Sequence, residues 1–234
     1  MEALGGYPAK SSNPKAKKLT VLLSMTVGVG CLFLLQTQLV KPRKPKDFYS
    51  FEVKDAKGRT VSLEKYRGKV CPHHQLSFQF GKKSVQTFSH SDPASLVVNV
   101  ASYCEHTEAN YRFLQELHRE LGTSHFNVLA FPCGQFGETE TRTSRDIEAF
   151  AKSTYGVTFP FFSRIKIMGS EAEPAFKFLT DSVQKTPKWN FWKFLVSPEG
   201  KVIRFWRTDE PMESVRQEAT ALVREIILKK RVEL

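Results

Sequence analysis

The sequence has few cysteines and contains no Cys-x-x-Cys pair. Only four of its 234 residues are cysteines. Cys31 lies within a long apolar run, which leaves Cys71, Cys104 and Cys133, an odd number that does not indicate a structural disulfide framework. Without a Cys-x-x-Cys pair, the sequence excludes both a zinc knuckle and a dithiol redox motif. Any thiol chemistry must therefore depend on single cysteines.

The sequence also lacks a recognisable metal site. Cys71, His73 and His74 form one small group of possible ligands, but no matching ligand pair at metal-binding spacing follows downstream. This pattern favours a solvated loop, and we predict that the protein binds no metal ion.

Basic charge is in excess, but the body of the chain carries little of it. The net charge is +11, and residues 1–46 contribute most of it, because they contain eight lysines and arginines against one glutamate. The remainder of the chain is only weakly basic. This distribution argues against a nucleic acid as partner.

One long uncharged run lies near the N-terminus. Residues 19–40 contain 22 consecutive residues without a charge, enough for a helix to span a bilayer core of about 30 Å. A cleaved signal peptide is the alternative, but its apolar region is normally about 7–15 residues and ends in a small-residue cleavage site. No such site follows here. We therefore predict a transmembrane signal-anchor at 19–40 that contacts the lipid bilayer, a short basic cytosolic tail at 1–18 and a linker at 41–47.

The orientation of this span depends on the C-terminus. Four basic residues lie on each side of the run, so the positive-inside rule does not decide. The last four residues, Arg-Val-Glu-Leu, resemble a degenerate retrieval signal of the endoplasmic reticulum lumen. We predict a single-pass protein of the endoplasmic reticulum membrane, with residues 48–234 in the lumen.

The rest of the chain alternates between strand and helix patterns. Continuous apolar runs predict buried strands, and apolar residues at helical spacing followed by glycine predict helices. The predicted elements are a hairpin at 51–63, strands at 95–102 and 125–132, helices at 107–121, 143–156 and 173–183, a hairpin at 191–206 and a helix at 212–229. This order predicts an α/β domain with a central mixed sheet flanked by helices.

Cys104 lies between a predicted buried strand and the following helix, which is where α/β proteins place their sites. The N-terminus of the helix that begins near Thr107 would stabilise an anion. A thiolate in this setting typically has its pKa lowered from about 8.5 to about 3.5–7.5. The alternative is a small buried hydrophobic residue, but the flanks Tyr103, Glu105 and His106 are polar or amphipathic. We therefore expect a reactive thiol.

Three motifs in this region resemble those of the glutathione peroxidase family. They are NVASYCEHT at 99–107, FPCGQFG at 131–137 and WNFWKFLV at 189–196, in the family order and with family-like spacing. The resemblance covers about residues 48–230, apart from one interruption. It implies a thioredoxin-like (glutathione peroxidase) fold and a thiol-dependent peroxidase that reduces hydrogen peroxide or small hydroperoxides without a bound cofactor.

The resemblance also implies roles for particular residues. Cys104 stands at the peroxidatic position, and Trp189 and Asn190 match a pair that donates hydrogen bonds to the sulfur and orients the peroxide. Without the resemblance, core packing and a turn would explain these two residues. Thr139 stands where many members carry a catalytic glutamine, and Gly134 replaces the usual asparagine. A threonine hydroxyl can donate one hydrogen bond with shorter reach, so we expect a less optimised peroxidase.

A sulfenic acid formed at Cys104 needs a second thiol to resolve it. Cys133 is the internal candidate, although it could also be an inert packed residue. The external candidates are glutathione and the dithiol of a protein disulfide isomerase, which suits an oxidising lumen. Only a short segment, 181–189, precedes the third motif. This length resembles the monomeric, open-site members of the family that use protein thiols.

The interruption is an atypical insertion at 71–94, where family members run directly from one part of the strand to the next. It enters at the amino end of the strand, opposite Cys104.

Two other classes of function compete with a peroxidase. A thioredoxin-like disulfide exchanger is disfavoured because Thr107, three residues after Cys104, is not a cysteine. A membrane-tethered, thioredoxin-like interaction module with little catalytic activity stays open.

The predicted topology can be tested by protease protection in microsomes. We expect the C-terminal domain to be digested only after detergent opens the membrane, and the mature chain to keep residues 1–18. Digestion without detergent, or a mature N-terminus beyond residue 35, would contradict a retained anchor with a lumenal domain.

Overall fold

A four-stranded mixed sheet forms the centre of the domain. The computed structural model describes residues 47–67 and 93–232. The predicted tail at 1–18, the anchor at 19–40, nearly all of the linker and most of the 71–94 segment lie outside these residues. Within the described ranges, no helix is both long and apolar enough to cross a membrane.

The strand order of the sheet is β4-β3-β5-β6. The strands are β3 (Ala94–Val100), β4 (Phe126–Pro132), β5 (Lys193–Val196) and β6 (Val202–Trp206). Strand β3 runs parallel to β4 and antiparallel to β5, so it lies between them in the middle of the sheet. All seven residues of β3 are buried, which agrees with its apolar sequence. A separate antiparallel hairpin precedes the sheet and pairs β1 (Glu52–Lys54) with β2 (Thr60–Ser62).

The two faces of the sheet carry two separate cores. Successive side chains of a strand point to opposite faces, and β3 divides accordingly. One face, here called the Cys104 core, contains residues of β3, β4 and three helices, among them Leu96, Val98, Val100, Ala130, Tyr111, Leu114, Ile147, Val215 and Cys104. The other face, here called the Cys133 core, contains Val97, Leu129, Phe131, Phe176, Leu179, Phe194 and Cys133.

Four helices cover these faces, and local sequence signals set their ends. They are α1 (Thr107–Leu121), α2 (Ser144–Tyr155), α3 (Pro174–Val183) and α4 (Met212–Val232). The hydroxyl of Thr143 accepts a hydrogen bond from the backbone N–H of Asp146, which caps α2. Gly156 ends the same helix in the left-handed conformation, at φ 65°. The predicted α/β order and mixed sheet are confirmed.

Several boundaries differ from the sequence prediction by one to three residues, and two of these differences have a local cause. Strand β3 ends at Val100 rather than at residue 102, because the Ala101 carbonyl accepts a hydrogen bond from the Thr107 side chain instead of continuing the sheet. Helix α4 continues to Val232 rather than ending at 229, since no glycine or proline stops it there.

Two buried tyrosines should differ in what their hydroxyls contribute to stability. The Tyr49 hydroxyl donates to Ser95 Oγ at 3.0 Å, whereas the Tyr111 hydroxyl is buried without a hydrogen-bond partner among the described residues. We expect Tyr49→Phe to lower the free energy of unfolding by about 1 kcal/mol and Tyr111→Phe to change it little or raise it. Urea denaturation measures both variants. Equal losses would contradict this account.

Candidate active site around Cys104

Cys104 is held in the short loop between β3 and α1. Its backbone N–H donates to the Thr107 hydroxyl at 3.0 Å, and its carbonyl accepts from the Thr107 N–H at 2.9 Å. The Thr107 hydroxyl in turn donates to the Ala101 carbonyl at 3.1 Å. Three bonds from one threonine therefore place the thiol at the N-terminal end of α1, as the sequence predicted.

The pKa of Cys104 is raised, not lowered, so the expectation of a helix-activated thiolate is wrong. Only 8% of Cys104 is exposed, and burial is the largest effect on its pKa. The backbone N–H of His106 and the indole of Trp189 lower the pKa, but the Glu105 carboxylate raises it further. The thiol donates to Glu105 Oε2 at 3.7 Å, which favours the protonated form.

Trp189 lies beside the thiol with an unused donor. Its side chain packs against both the Cys104 core and the Cys133 core. The indole N–H makes no hydrogen bond with any described residue. It is nevertheless close enough to lower the pKa values of both Cys104 and Glu105. The donor therefore lies near the sulfur without a hydrogen bond to it.

The side chains of Asn190 and Thr139 are joined by a hydrogen bond. The buried Asn190 side chain donates from Nδ2 to Thr139 Oγ1 at 2.8 Å. The Thr139 hydroxyl donates its only hydrogen to the Phe136 carbonyl, also at 2.8 Å. It therefore has no hydrogen left for a peroxide in this arrangement. The Thr139 carbonyl accepts from the Tyr103 N–H at 2.9 Å, so Thr139 connects the Cys104 loop to Asn190.

Sequence reasoning missed Asn99, which positions the Trp189 loop. Asn99 Nδ2 donates to the Trp189 carbonyl at 3.1 Å, and the Asn99 carbonyl accepts from the Phe191 N–H at 2.7 Å. Phe191 adopts a positive φ of 64°, which is strained for a residue other than glycine. The available signal was a single polar residue near the end of an apolar strand.

Lys193 was missed as well. It is only 1% exposed, and its Nζ donates to the Phe191 carbonyl at 2.8 Å. Burial lowers its pKa to about 8, and the Glu210 carboxylate opposes that shift. A lysine within the apolar run FWKFLV was the signal that could have revealed it. The ammonium thus stabilises the strained Phe191 backbone through its carbonyl.

The buried Glu140 carboxylate stabilises the Cys104 loop through a hydrogen bond. It accepts a hydrogen bond from the Ser102 hydroxyl at 2.7 Å and one from the Arg142 N–H at 3.3 Å. Burial raises its pKa. A side chain at Gly134 would meet the Glu140 carbonyl at 2.9 Å. The absence of a Cβ at Gly134 therefore permits this close approach of the two segments.

Cys133 lies at the same edge of the sheet but on the other face. It is completely buried in the Cys133 core, and burial raises its pKa to about 11. Its N–H donates to the Val100 carbonyl at 3.0 Å, and it forms a β-bridge with Ile165. Both Cys133 and Cys104 are free thiols. The structure thus groups Cys104, Trp189, Asn190 and Thr139 but separates Cys133 from the Cys104 core.

Comparison with known proteins identifies the family. The glutathione peroxidase family model matches residues 73–180, a range that contains Cys104, Cys133 and Thr139. The chain is 79% identical over 234 residues to probable glutathione peroxidase 8 of Tetraodon nigroviridis, with 100% of both chains covered.

Solved structures agree on the fold. The crystal structure of T. cruzi GPX1 has a TM-score of 0.54 at 26% identity and covers 76% of this chain and 97% of that one. A thioredoxin-family thiol:disulfide interchange protein from Chlorobium tepidum TLS has a TM-score of 0.51 at 10% identity, covering 78% and 99%, and is similar in fold alone. The domain has a thioredoxin-like fold, and the chain belongs to the glutathione peroxidase family of peroxidase-type enzymes.

Proposed function

We propose that the protein reduces hydrogen peroxide or small hydroperoxides with Cys104 as the peroxidatic residue. The observation that carries this proposal is the indole N–H of Trp189, which lies beside the buried Cys104 thiol and has no hydrogen-bond partner among the described residues. A donor without a partner next to a sulfur can stabilise a thiolate or align a peroxide oxygen.

The reaction needs only the thiol and the peroxide. The Cys104 thiolate attacks one oxygen of the O–O bond, a new S–O bond forms and the O–O bond breaks. The sulfur loses two electrons, the peroxide gains them, and the departing oxygen takes up a proton and leaves as water or an alcohol. Cys104 becomes a sulfenic acid.

The neighbouring residues have separate parts in this proposal. Trp189 donates toward the reacting atoms. Asn190, held by Thr139, has a second Nδ2 hydrogen that it would donate to the peroxide. Thr139 acts as a positioning residue, because its hydroxyl hydrogen already binds the Phe136 carbonyl. The raised pKa of Cys104 keeps most of the thiol protonated at neutral pH, which fits a slower peroxidase.

Recycling of the sulfenic acid falls to an external thiol in this proposal. The first thiol forms a mixed disulfide with Cys104 and releases water, and a second thiol releases the disulfide and restores Cys104. Glutathione and the dithiol of a protein disulfide isomerase are both suitable reductants. The burial of Cys133 on the opposite face favours them over Cys133 as the resolving residue.

The membrane location belongs to the same proposal. Its support is the uncharged run at 19–40 and the C-terminal Arg-Val-Glu-Leu. A monomer anchored in the endoplasmic reticulum membrane would present the domain to the disulfide isomerases of the lumen.

A second candidate function is a membrane-tethered interaction module with little catalytic activity. The raised pKa of Cys104 and the occupied Thr139 hydroxyl favour it. Titration with hydrogen peroxide while a probe traps sulfenic acid distinguishes the two. Labelling of Cys104 faster than that of a free exposed thiol supports the peroxidase, and labelling at that rate supports the module.

The pH dependence of this step should follow the pKa of Cys104. Because the thiolate reacts and the pKa is raised, we expect the rate to keep increasing with pH beyond the ordinary thiol value of 9.0. Glu105→Gln removes a carboxylate that raises this pKa, so it should shift the profile to lower pH and speed the reaction at neutral pH.

Glu108→Gln is the matched control, since Glu108 lies in the first turn of α1 and pairs with Arg112. Its profile should stay close to that of the unmodified protein. A wild-type rate that has already levelled off at neutral pH would show that Cys104 is an activated thiolate after all.

The cysteine roles can be separated by substitution. Cys104→Ser should lose peroxide consumption. Cys133→Ala, which removes the thiol without placing a hydroxyl in the apolar core, should form sulfenic acid at the wild-type rate and remain reducible by protein disulfide isomerase. Stopped-flow peroxide consumption and mixed-disulfide trapping measure the two steps. Loss of the first step in Cys133→Ala would reverse the assignment.

A further inference from the structure

A cleft beside Cys104 combines an arginine with two aromatic rings. Tyr103, the residue before Cys104, is 55% exposed, which is unusual for so large a side chain. Arg142 Nε donates to the Tyr103 hydroxyl at 2.7 Å. The guanidinium carbon of Arg142 lies 4.9 Å from the centre of the Tyr103 ring and 4.3 Å from that of Phe150. The arginine is thus held by two rings and one hydrogen bond.

An open groove of about 590 Å³ runs along this arginine. Its walls are Tyr103, Arg142, Asp146, Ala149, Phe150 and Ser153. The groove therefore lies between the Cys104 loop and α2. It offers apolar surface from Ala149 and Phe150 next to a positive charge.

Arg142 forms no ion pair with the described residues. Among the described residues, no carboxylate lies within salt-bridge distance of it, and its Nη atoms donate no hydrogen bond. The Glu140 carboxylate accepts from the Arg142 backbone N–H and from Ser102, and it interacts with the guanidinium only at longer range. Arg164 adds positive charge nearby, because its Nη1 donates to the Arg142 carbonyl at 3.4 Å.

One negative charge also faces the groove. Asp146 Oδ2 accepts from the Thr143 hydroxyl at 2.7 Å, and its carboxylate lies in the first turn of α2. The partial positive charge of that helix end offsets it. The groove therefore remains favourable to an anion at its Arg142 end.

We propose that the cleft formed by Tyr103, Arg142 and Phe150 binds a carboxylate of a substrate that reacts at Cys104. An arginine held in place by aromatic rings loses little freedom on binding, and its two Nη groups match the two oxygens of a carboxylate. The substrate's apolar chain would lie on Phe150 and Ala149. The proposal deepens the peroxidase function and depends on it. The carboxylate can belong to the reducing thiol or to the hydroperoxide.

Matched acids and methyl esters test the cleft. For the thiol, the rate of reduction of the Cys104 sulfenic acid is compared for ω-mercapto carboxylic acids of increasing chain length and their methyl esters. For the peroxide, linoleic acid hydroperoxide is compared with its methyl ester. We expect kcat/KM to favour the acid by about tenfold in one of the two series, as charge-assisted hydrogen bonds typically give. The series that shows the preference identifies the source of the carboxylate.

Variants assign this preference to the arginine. Arg142→Met should bring the ratio of acid to ester close to one, and Arg142→Lys, which keeps the charge but not the fork, should reduce it. Arg145→Met is the control, because Arg145 is an exposed neighbour that does not line the groove, and its ratio should match the wild type. An unchanged ratio in Arg142→Lys and Arg142→Met, or an equal loss in Arg145→Met, would overturn the proposal.

Binding of decanoate separates this inference from the peroxidase function. Calorimetry should show that the wild type binds decanoate more tightly than methyl decanoate and that Arg142→Met does not. This measurement does not need Cys104 to react. Decanoate preference without sulfenic acid formation would refute only the peroxidase, whereas sulfenic acid formation without any acid preference in rate or binding would refute only the cleft.

Discussion

The hydrogen bonding of Asn99 to the Trp189 loop is the interaction on which the site depends. Strand β3 is buried on both faces and carries Cys104 just beyond its end, whereas Trp189 and Asn190 come from a loop about 90 positions later in the chain. Asn99 joins the two through its side-chain amide and its carbonyl. Asn99 is fully buried, so the loss of either bond would leave one of its polar groups without a partner, at a typical cost of about 1–3 kcal/mol. The indole therefore has a fixed place relative to the thiol.

The same attachment holds the loop in a strained conformation. Phe191 has a left-handed backbone, and the buried ammonium of Lys193 binds its carbonyl. Backbone strain of this kind typically costs about 1–3 kcal/mol and persists only where surrounding contacts fix it. Here Asn99 and Lys193 supply those contacts. Burial lowers the pKa of Lys193 to about 8, because desolvation disfavours the charged form.

Opposing effects act on the pKa of the Cys104 thiol. A helix N-terminus and an indole N–H favour the thiolate, while burial and the Glu105 carboxylate favour the thiol. Burial has the largest effect. The sequence predicted the helix N-terminus correctly but not the depth of the thiol, because burial depends on how Trp189 and α1 pack over the loop. The position of Cys104 along the chain indicates that it lies at a helix N-terminus, but it does not indicate how deeply the thiol is buried.

Much of the fold followed from local pattern. Helix α1 occupies the predicted residues because apolar spacing and Gly122 define it, and α2 begins at its predicted cap. Asn99 and Lys193 can be noticed as polar residues in apolar strands, but the partner of Asn99 could not be found, because Trp189 lies 90 positions away in the sequence. The partner of Lys193, the Phe191 carbonyl, is only two residues away, but its direction depends on the folded loop. The motif indicated Thr139 as a site residue, and the structure shows it hydrogen-bonded to Asn190. The direction of its hydroxyl hydrogen depends on the Phe136 carbonyl, which only the folded loop brings near.

Strand parity explains why the two thiols are apart. Cys133 follows Phe131 by two positions, so it points to the same face of the sheet, into the Cys133 core. Cys104 lies in a loop, where parity no longer applies, and packs in the Cys104 core. For the two sulfurs to meet, Cys133 would have to give up its bond to Val100 and its bridge to Ile165. Resolution by an external thiol would require neither change.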